Sequence, residues 1–447
     1  MGRLFGTDGV RGKAGEYPMT PKVAMGLGQA GATVLLEEGN RKIIIGKDTR
    51  VSSDMLEAAL IAGITSTGVD CLRVGVFPTS GVAYLTRELR CGAGIMISAS
   101  HNPFEDNGIK FFSENGLKLP DEVESRIEEF VFAKDEMFPS PTGMNIGRVQ
   151  EVDYAKERYL KFLASTVPSL DLTGMKIVVD CANGATSEIA PLLFKKLGAE
   201  LIALNCEPNG TNINLRCGSL HPEVMCDKVL EHKADIGLSF DGDGDRLISA
   251  DEQGQIVDGD YIMAICSKFL KSRDKLKNNM LVITVMSNLG LNIAAKELGI
   301  DLAVTKVGDR YVMEEMKRKG SIIGGEASGH IIFSDYHTTG DGMLTALQLL
   351  RVMKEENLPL SSLRKVMQKF PQITLNLDVE KKPDLSTIPD VQEAIRDAEA
   401  KLGDNGRVLV RYSGTQPVCR VMVEGKSQEE INEIANRIAG VIKEKIG

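Results

Sequence analysis

The sequence contains no tryptophan, few aromatic residues and no excess of basic residues. Phe, Trp and Tyr make up 5% of the 447 residues, and the formal net charge is −9 at pH 7. A nucleic-acid-binding protein would need basic patches and aromatic stacking platforms, so this composition argues against a nucleic-acid partner. No apolar run approaches the roughly 18 residues of a membrane-spanning helix, which argues against a membrane protein.

The cysteines do not show the spacing of a metal-binding or redox motif. The eight cysteines lie apart, with no C-x-x-C pair and no histidine-rich neighbourhood that would suit zinc. We therefore expect reduced thiols that pack as small apolar side chains. The opening residues, MGRLFGTDGVRG, have no apolar stretch like that of a secretory signal. Together these features predict a cytoplasmic protein.

Glycine, by contrast, is abundant, with 45 residues in the chain. Average proteins contain about 7% glycine, and an excess indicates tight turns or places where the backbone approaches another group closely. At roughly 100 to 200 residues per domain, the length predicts two to four domains. Each of these domains would be large enough to bury a core of its own.

Three stretches share one pattern: a β-rich run, a polar or glycine-containing loop, an apolar-periodic helix and a second β-rich run. They cover residues 41–76, 175–206 and 279–307. Each predicts a strand–helix–strand unit of a parallel or mixed sheet. In the first stretch, residues 52–54 (Ser-Ser-Asp) are of the types that cap helix N-termini, so the helix is predicted to begin there.

Changes of composition predict where the domains join. Residues 138–149 are rich in Pro and Gly, and the pattern changes again near residues 251–258 and near Phe370 and Pro371. The predicted fold class is α/β: three consecutive α/β domains with mixed sheets, then a small α+β C-terminal domain, arranged around a central cleft. The predicted domains cover residues 1–150, 151–253, 254–369 and 370–447.

A polar loop follows the predicted strand of GIMISASHNPFEDNGIKFF (94–112). Ser100 and His101 stand at the end of this strand, where a nucleophile and its polar partner would be placed. A turn that leaves the sheet at Asn-Pro is the alternative interpretation. Lys110 follows on the next apolar run and is a candidate proton carrier.

Three aspartates alternate with glycine directly after another apolar strand. Asp241, Asp243 and Asp245 bring three hard carboxylate oxygens within reach of one Mg²⁺, and burying them without a cation would be costly. A calcium EF-hand is excluded because Arg246 stands where that loop needs Gly and because the flanks resemble strands. A phosphatase with Asp241 as its nucleophile and a turn without metal remain alternatives.

Two further glycine-containing loops carry residues that suit a sugar phosphate. Glu326 and Ser328 follow a predicted strand and can accept and donate hydrogen bonds to sugar hydroxyls. Near the C-terminus, a guanidinium, two hydroxyls, exposed backbone amides and a second cation suit a phosphate. These groups belong to Arg411, Ser413, Gly414, Thr415 and Arg420.

The four loops, taken in this order, resemble those of the α-D-phosphohexomutase family. They are the phosphoserine loop SASHNP (98–103), the metal loop DGDGDR (241–246), the sugar loop GEASGH (325–330) and the phosphate loop RYSGTQP (411–417). The resemblance covers essentially the whole chain. The segments FGTDGVRG (5–12), VGDRYV (307–312) and TTGDGM (338–343) are most similar to bacterial members that act on glucosamine phosphates.

The resemblance implies a reversible interconversion of glucosamine 6-phosphate and glucosamine 1-phosphate, on the route to UDP-N-acetylglucosamine and the cell wall. Ser100 would be carried as phosphoserine, and glucosamine 1,6-bisphosphate would be the intermediate; this or a similar sugar bisphosphate would be the priming compound. Mannose and glucose phosphates are the alternative substrates within the family. A metal-dependent sugar phosphatase and a non-catalytic sugar-phosphate sensor are the more distant alternatives.

The resemblance also implies a role for each loop residue. One Mg²⁺ would be held by Ser100, Asp241, Asp243 and Asp245. The catalytic residues would be Ser100, Lys110, His101 and Arg11. Substrate would be bound by Arg246, Glu326, Ser328 and His330, and the non-reacting phosphate by Arg411, Ser413, Gly414, Thr415 and Arg420. A homodimer is expected from the resemblance alone.

Overall fold

The structure is a computed structural model that describes residues 4–6, 8–36, 41–132, 138, 141–412 and 418–447. Its contacts divide the chain into two units. The first unit comprises Met1–Met286 and Ile300–Val366, and the second comprises Ser287–Gly299 and Met367–Gly447. The predicted arrangement of all domains around one cleft involves both units and stays a prediction.

The first sheet combines parallel and antiparallel strands, as predicted. Its seven strands in the described chain are β1 (Phe5–Gly6), β2 (Gly9–Lys13), β3 (Lys42–Lys47), β4 (Asp70–Val76), β5 (Ala93–Ile97), β6 (Asp106–Ser113) and β7 (Val149–Glu151). Their order across the sheet is β1-β2-β6-β5-β3-β4-β7. The strands β5, β3, β4 and β7 run parallel, whereas β6 is antiparallel to β5 and to β2.

Helices cover both faces of this sheet. They are α1 (Pro21–Leu35), α2 (Val51–Ser66), α3 (Thr79–Glu88) and α4 (Asp121–Val131). Ile43 and Ile45 of β3 share a core with residues of α1, α2 and α4, while Gly46 lies against Val82 of α3. A strand that is buried on both faces reads as a continuous apolar run, which explains the three successive isoleucines of β3.

Helix α2 begins at Val51, so the predicted start at residues 52–54 is wrong. Its N-cap is Arg50, which is extended at φ −62° and ψ 140° and makes no side-chain capping hydrogen bond. Ser53 Oγ instead donates to Asp48 Oδ1 at 3.0 Å. The hydroxyl that suggested a cap therefore binds a carboxylate before the helix.

The second sheet is also mixed. Its elements are α5 (Ala155–Ser165), β8 (Lys176–Asp180), α6 (Ile189–Lys196), β9 (Glu200–Leu204), α7 (Pro222–His232), β10 (Ile236–Phe240), β11 (Leu247–Asp251) and β12 (Ile256–Val257). The strand order is β12-β11-β10-β8-β9. Since β12 pairs with β11, this sheet continues to Val257.

The third sheet repeats this design with fewer strands. Its segment contains α8 (Gly259–Lys271), β13 (Met280–Thr284), α9 (Leu289–Glu297), β14 (Asp301–Thr305), α10 (Asp309–Lys319), β15 (Ile323–Gly325), β16 (Ile331–Phe333), α11 (Gly342–Glu356) and α12 (Leu360–Leu363). The strand order is β14-β13-β15-β16. All three predicted strand–helix–strand units are confirmed, as β3-α2-β4, β8-α6-β9 and β13-α9-β14.

One connection recurs in these three sheets and places the predicted site residues. A strand that is parallel to its inner neighbour is followed by an antiparallel strand, in the pairs β5 and β6, β10 and β11, and β15 and β16. The phosphoserine loop, the metal loop and the sugar loop are the three connections. The same step in the topology therefore presents each loop at the end of a buried strand.

The second unit is a small α+β domain, as predicted. Its elements after residue 367 are β17 (Gln372–Asp378), α13 (Pro389–Leu402), β18 (Arg407–Tyr412), β19 (Val418–Glu424) and α14 (Gln428–Ile446), with antiparallel strand order β17-β19-β18. Residues 287–299, which include α9, join this unit because Asn288 Nδ2 donates to Glu424 Oε1 at 2.9 Å and to Phe370 O at 3.0 Å. No helix among the described residues, α14 included, is long and apolar enough to cross a membrane.

A buried histidine connects the third sheet's segment to α3. His337 is 1% exposed; its Nε2 lies 2.9 Å from the Ser80 carbonyl oxygen, and the Thr338 amide donates to its Nδ1 at 2.7 Å. These contacts assign a neutral ring with its proton on Nε2. Burial, and then the charge of Arg87, lower the pKa of His337 to about 3.

We expect His337 to make the first unit sensitive to acid. The unfolded histidine takes up a proton near pH 6.5 and the folded one near pH 3, so stability is present above pH 6.5 and is lost as the pH falls below it. By pH 5 this loss is about 2 kcal/mol. In His337→Gln, the drop in the free energy of unfolding between pH 7 and pH 5, measured in urea, should be smaller by that amount. His232→Gln changes an exposed ring and is the control; equal pH dependence in the two variants would contradict this role.

Candidate functional site

Ser100 lies in the loop between β5 and β6, with its side chain directed at the metal loop. Its Oγ donates to Asp241 Oδ2 at 2.5 Å and lies 3.2 Å from His101 Nδ1. The residue is 2% exposed and has a left-handed backbone, with φ 54°. A non-glycine residue in this conformation must be held there by its surroundings. The structure thus brings the predicted nucleophile to the predicted metal ligands.

The three aspartates form one buried carboxylate group between β10 and β11. An oxygen atom of each lies within 4.8 Å of the others, and Asp243 Oδ1 and Asp245 Oδ1 have no hydrogen-bond partner in the described part of the chain. Burial, and then the charges of Asp245 and Asp243, raise the pKa of Asp241 well above its usual range. A bound cation would relieve both the repulsion and the missing partners, so these residues fit a metal ion.

Two glycines allow the loops to approach each other. A Cβ at Gly242 would lie 2.6 Å from the Ser100 carbonyl oxygen, and a Cβ at Gly329, where φ is +90°, would lie 2.1 Å from the Leu247 carbonyl oxygen. The Leu247 amide also donates to Gly329 O at 3.1 Å. At these two positions, glycine therefore serves the packing of one loop on the next.

Lys110 and Arg11 place positive charge beside the carboxylates. Lys110 is 2% exposed; its Nζ lies 2.7 Å from Asp243 Oδ2 and 3.2 Å from Asp8 Oδ2. Burial opposes the charge of Lys110, but Asp243 and Asp8 outweigh it and raise its pKa. Arg11 pairs with Asp8 and donates from Nη1 to the Ala99 carbonyl at 3.4 Å. Both predicted cations therefore lie at the phosphoserine and metal loops.

His101, unlike Lys110 and Arg11, is uncharged near pH 7. Its ring is next to Ser100 Oγ, at 3.2 Å from Nδ1. Burial, and then the nearby charges of Arg246 and Arg11, lower the pKa of His101 to about 3. His101 is thus a neutral ring near pH 7, able to accept or donate one hydrogen bond beside the serine.

Hydrogen bonds from the loop itself and from the backbone before α10 position Glu326 of the sugar loop. The Gly308 amide donates to Glu326 Oε1 at 2.9 Å, and Ser328 Oγ donates to Glu326 Oε2 at 3.4 Å. Glu326 and Ser328 are half-buried. The two residues predicted to contact a sugar therefore lie side by side, with the carboxylate positioned by the backbone before α10.

The remaining predicted substrate residues connect the sugar loop and the metal loop. His330 Nε2 lies 3.4 Å from Asp309 Oδ2 and 4.0 Å from Asp245 Oδ2. The Arg246 amide donates to Asp241 Oδ1 at 3.1 Å, and its side chain is 21% exposed. Within the first unit, the structure thus brings the three predicted loops into one neighbourhood.

Sequence reasoning missed a row of ion pairs at this neighbourhood. Asp8 contacts both Lys110 and Lys118, and Lys118 also contacts Asp309. Lys118 and Asp309 line a cavity of about 240 Å³. The segment FGTDGVRG places Asp8 three residues before Arg11. Since Arg11 is a predicted catalytic residue, this spacing is a signal that Asp8 lies at the same site. Lys118 carries no comparable signal.

In the second unit, Arg411 of β18 and Arg420 of β19 stand directly opposite each other. Burial, and then the charge of Arg420, lower the pKa of Arg411. Two facing cations of this kind suit an anion that would reduce their repulsion. The other predicted members of the phosphate loop, Ser413, Gly414 and Thr415, lie outside the described residues.

Four family models match consecutive parts of the chain. They are the domains of phosphoglucomutase/phosphomannomutase: alpha/beta/alpha domain I at residues 2–138, domain II at 157–254, domain III at 258–370 and the C-terminal domain at 375–441. The chain belongs to this family, and the family and fold class predicted from the sequence are confirmed.

Within the family, the chain is similar over its whole length to bacterial phosphoglucosamine mutases. It is 53% identical to the phosphoglucosamine mutase of Syntrophus aciditrophicus (strain SB), with 100% of each chain covered. It is 54% identical to that of Syntrophobacter fumaroxidans (strain DSM 10017 / MPOB), again with 100% of each chain covered.

Solved structures share the fold. A phosphoglucomutase/phosphomannomutase family protein from Burkholderia thailandensis superposes with a TM-score of 0.82 at 25% identity, covering 99% of this chain and 98% of its own. Aspergillus fumigatus N-acetylphosphoglucosamine mutase, solved with GlcNAc-6P and magnesium, gives a TM-score of 0.70 at 17% identity, covering 99% of this chain and 95% of its own. The second likeness concerns the fold alone.

Proposed function

We propose that this protein is an isomerase that interconverts glucosamine 6-phosphate and glucosamine 1-phosphate. The observation that carries the proposal is Ser100 Oγ, 2.5 Å from Asp241 Oδ2 at a buried group of three aspartates. It occurs in a chain that is 53% identical to a phosphoglucosamine mutase along its full length. The domains of this enzyme would be residues 1–150, 151–253, 254–369 and 370–447.

The proposed reaction begins with Ser100 as phosphoserine. Its phosphoryl group passes to a hydroxyl of the sugar phosphate: the P–Oγ bond breaks, a new P–O bond forms, and the hydroxyl loses its proton. The neutral His101 ring, 3.2 Å from Oγ, would accept the hydroxyl proton. Lys110, which Asp243 and Asp8 keep charged, would donate the proton that Ser100 Oγ takes up when the P–Oγ bond breaks. Arg11 would steady the phosphoryl group. Transfer in the opposite sense, from the other end of glucosamine 1,6-bisphosphate, restores the phosphoserine.

Asp241, Asp243 and Asp245 would hold one Mg²⁺ together with an oxygen of the phosphorylated Ser100. When bound, this ion would neutralise charge on the phosphoryl group, which is the main requirement of phosphoryl transfer. The oxygens without partners on Asp243 and Asp245 support this assignment. The chain's own part is to hold three carboxylates at one point and to exclude water around them.

The other predicted residues would bind the substrate. Glu326, Ser328 and His330 would contact sugar hydroxyls, and Arg246 would contact the reacting phosphate. The non-reacting phosphate would be held by Arg411, Ser413, Gly414, Thr415 and Arg420. By resemblance, we place the enzyme in the cytoplasm, as a homodimer, on the route to UDP-N-acetylglucosamine and peptidoglycan.

Comparison of hexose phosphates tests the proposal. With sugar bisphosphate as primer, we expect the kcat/KM for glucosamine 1-phosphate to exceed those for glucose and mannose 1-phosphates by at least about tenfold. A site that forms hydrogen bonds to one substituent of its substrate rejects analogues that lack this substituent. A preference for mannose or glucose phosphate would assign the chain to the alternative substrates. Steady release of inorganic phosphate without isomer would favour a phosphatase, and binding without conversion would favour a sensor.

A further inference from the structure

A buried arginine contacts the backbone of the phosphoserine loop at three points. The side chain of Arg50 is 0% exposed. Its Nη2 donates to the carbonyl oxygens of Ser100 at 3.0 Å and Asn102 at 2.9 Å, and its Nη1 donates to that of Pro103. The planar guanidinium offers donors in a fixed fork, so this one side chain can fix the relative directions of three carbonyl groups.

Asp48 orients this arginine and extends the network to the Ser100 amide. Asp48 Oδ2 accepts from Arg50 Nε at 2.8 Å and from Ser98 Oγ at 2.7 Å, and Oδ1 accepts from the Arg50 amide at 3.0 Å. Ser98 Oγ in turn accepts from the Ser100 amide at 2.9 Å. Both backbone groups of Ser100, its N–H and its C=O, are therefore connected to one buried ion pair.

Asn214 contacts the same loop from the second sheet's segment. Its Nδ2 donates to Ser100 O at 2.9 Å and to Asn102 O at 3.0 Å. Its own backbone is left-handed, with φ 57°, and its amide donates to the Ala182 carbonyl at 2.9 Å. The same two carbonyls are thus held from the first domain by Arg50 and from the second by Asn214.

These contacts explain how Ser100 keeps its left-handed conformation. A strained residue persists where the surrounding groups determine its conformation more than once, and Ser100 is held through its N–H, its C=O and its Oγ. Carbonyl oxygens that bind Arg50 and Asn214 also cannot face a phosphoryl group on Ser100. A buried ion pair contributes little to stability compared with apolar residues of the same size, so its use here favours a role in orientation.

We propose that Arg50, Asp48 and Asn214 are positioning residues that direct the phosphoserine loop so that Ser100 Oγ meets the metal loop. The proposal rests on the proposed function of Ser100 as the phosphoryl carrier. The three residues do not touch the reacting atoms, and they act through the backbone of residues 98–103. Their loss should lower the rate of transfer and leave the affinity for sugar phosphate nearly unchanged.

Asn214→Asp is the sharpest test, because Asp has the same shape and tolerates a left-handed backbone. The variant loses both donors and directs a carboxylate oxygen at two carbonyl oxygens. We expect kcat per phosphorylated chain to fall about 100-fold and KM to change less than about threefold. Asn214→Ala, which removes the donors without adding charge, should lose about tenfold. A kcat within twofold of wild type in Asn214→Asp would overturn the proposal.

Arg50→Lys tests the guanidinium fork with the charge retained. We expect a loss of kcat of about 100-fold, and Asp48→Asn should show a loss in the same direction. Arg73→Lys is the matched control, because Arg73 forms ion pairs with Glu57 and Glu151 away from the loop and should keep wild-type kcat. If Arg50→Lys does not fold, Asn214→Asp, at a half-buried position, carries the test.

Hydrogen exchange separates this proposal from the proposed function. In Asn214→Asp, amides of residues 98–102 should exchange at least about tenfold faster, while those of β8 and β9 stay unchanged. This result does not depend on turnover. Faster exchange throughout the second sheet would indicate a general structural role and overturn the proposal. Absence of conversion by the wild type would instead contradict the proposed function.

Discussion

Ser100→Ala is expected to lower turnover by at least about four orders of magnitude, as loss of a covalent nucleophile does in other enzymes. The variant has no oxygen to carry a phosphoryl group, and Asp241 Oδ2 loses the donor that lies 2.5 Å away in the wild type. Conversion of glucosamine 1-phosphate in a coupled assay measures the turnover. The intact mass after incubation with sugar bisphosphate measures the phosphorylation. Only the wild type should gain the mass of one phosphoryl group.

Ser165→Ala provides a control for the Ser100 substitution. Ser165 is exposed at the end of α5, so its loss should change neither the turnover nor the mass gain. Phosphate mapped by peptide analysis to a residue other than Ser100 would contradict the assignment. Steady phosphate release by Ser100→Ala would point instead to a phosphatase with Asp241 as the nucleophile.

Asp245→Asn is expected to have two opposite effects. Turnover should fall about a thousandfold, because one ligand of the charge-neutralising ion is lost. The metal-free protein should become more stable, because burial, and then the charge of Asp243, raise the pKa of Asp245. A raised pKa means that the fold disfavours the ionised carboxylate near pH 7, so the neutral amide removes a destabilising charge.

Thermal unfolding in EDTA and in Mg²⁺ measures the second effect. The wild type should unfold at a higher temperature in Mg²⁺ than in EDTA, since a ligand that binds the folded state stabilises it. Asp245→Asn should unfold at a higher temperature than the wild type in EDTA, and Mg²⁺ should raise its unfolding temperature only slightly. Asp153→Asn, at an exposed position, should behave as the wild type does. A full Mg²⁺ response in Asp245→Asn would contradict its role as a ligand.

The features that could be predicted from the sequence are those that depend on neighbouring residues in the chain. The apolar run of β3 and the periodicity of α2 predict a strand–helix–strand unit, and alternation with glycine predicts that Asp241, Asp243 and Asp245 converge. Each of these patterns is local, because strands and helices impose short periods on the chain. The start of α2 was misjudged because a hydroxyl can bind a side chain as well as a helix terminus.

The parts that were missed depend on contacts between distant residues and on the backbone. Arg50 binds carbonyl groups about 50 residues away, and Asn214 binds the same groups from more than 110 residues away. A carbonyl group exists at every residue, so the sequence carries no mark of which ones accept. Lys118, which follows β6, and Asp309, the first residue of α10, likewise form an ion pair although they lie far apart in the sequence.

The left-handed backbone of Ser100, with φ 54°, restricts which alcohol side chain can occupy the position. Threonine carries the same reactive hydroxyl group, but its branched Cβ makes a positive φ a marked steric outlier. Serine has one substituent fewer on Cβ and can adopt this conformation at lower cost. The geometry of the loop thus discriminates between the two aliphatic hydroxyl amino acids on steric grounds, independently of their chemical reactivity.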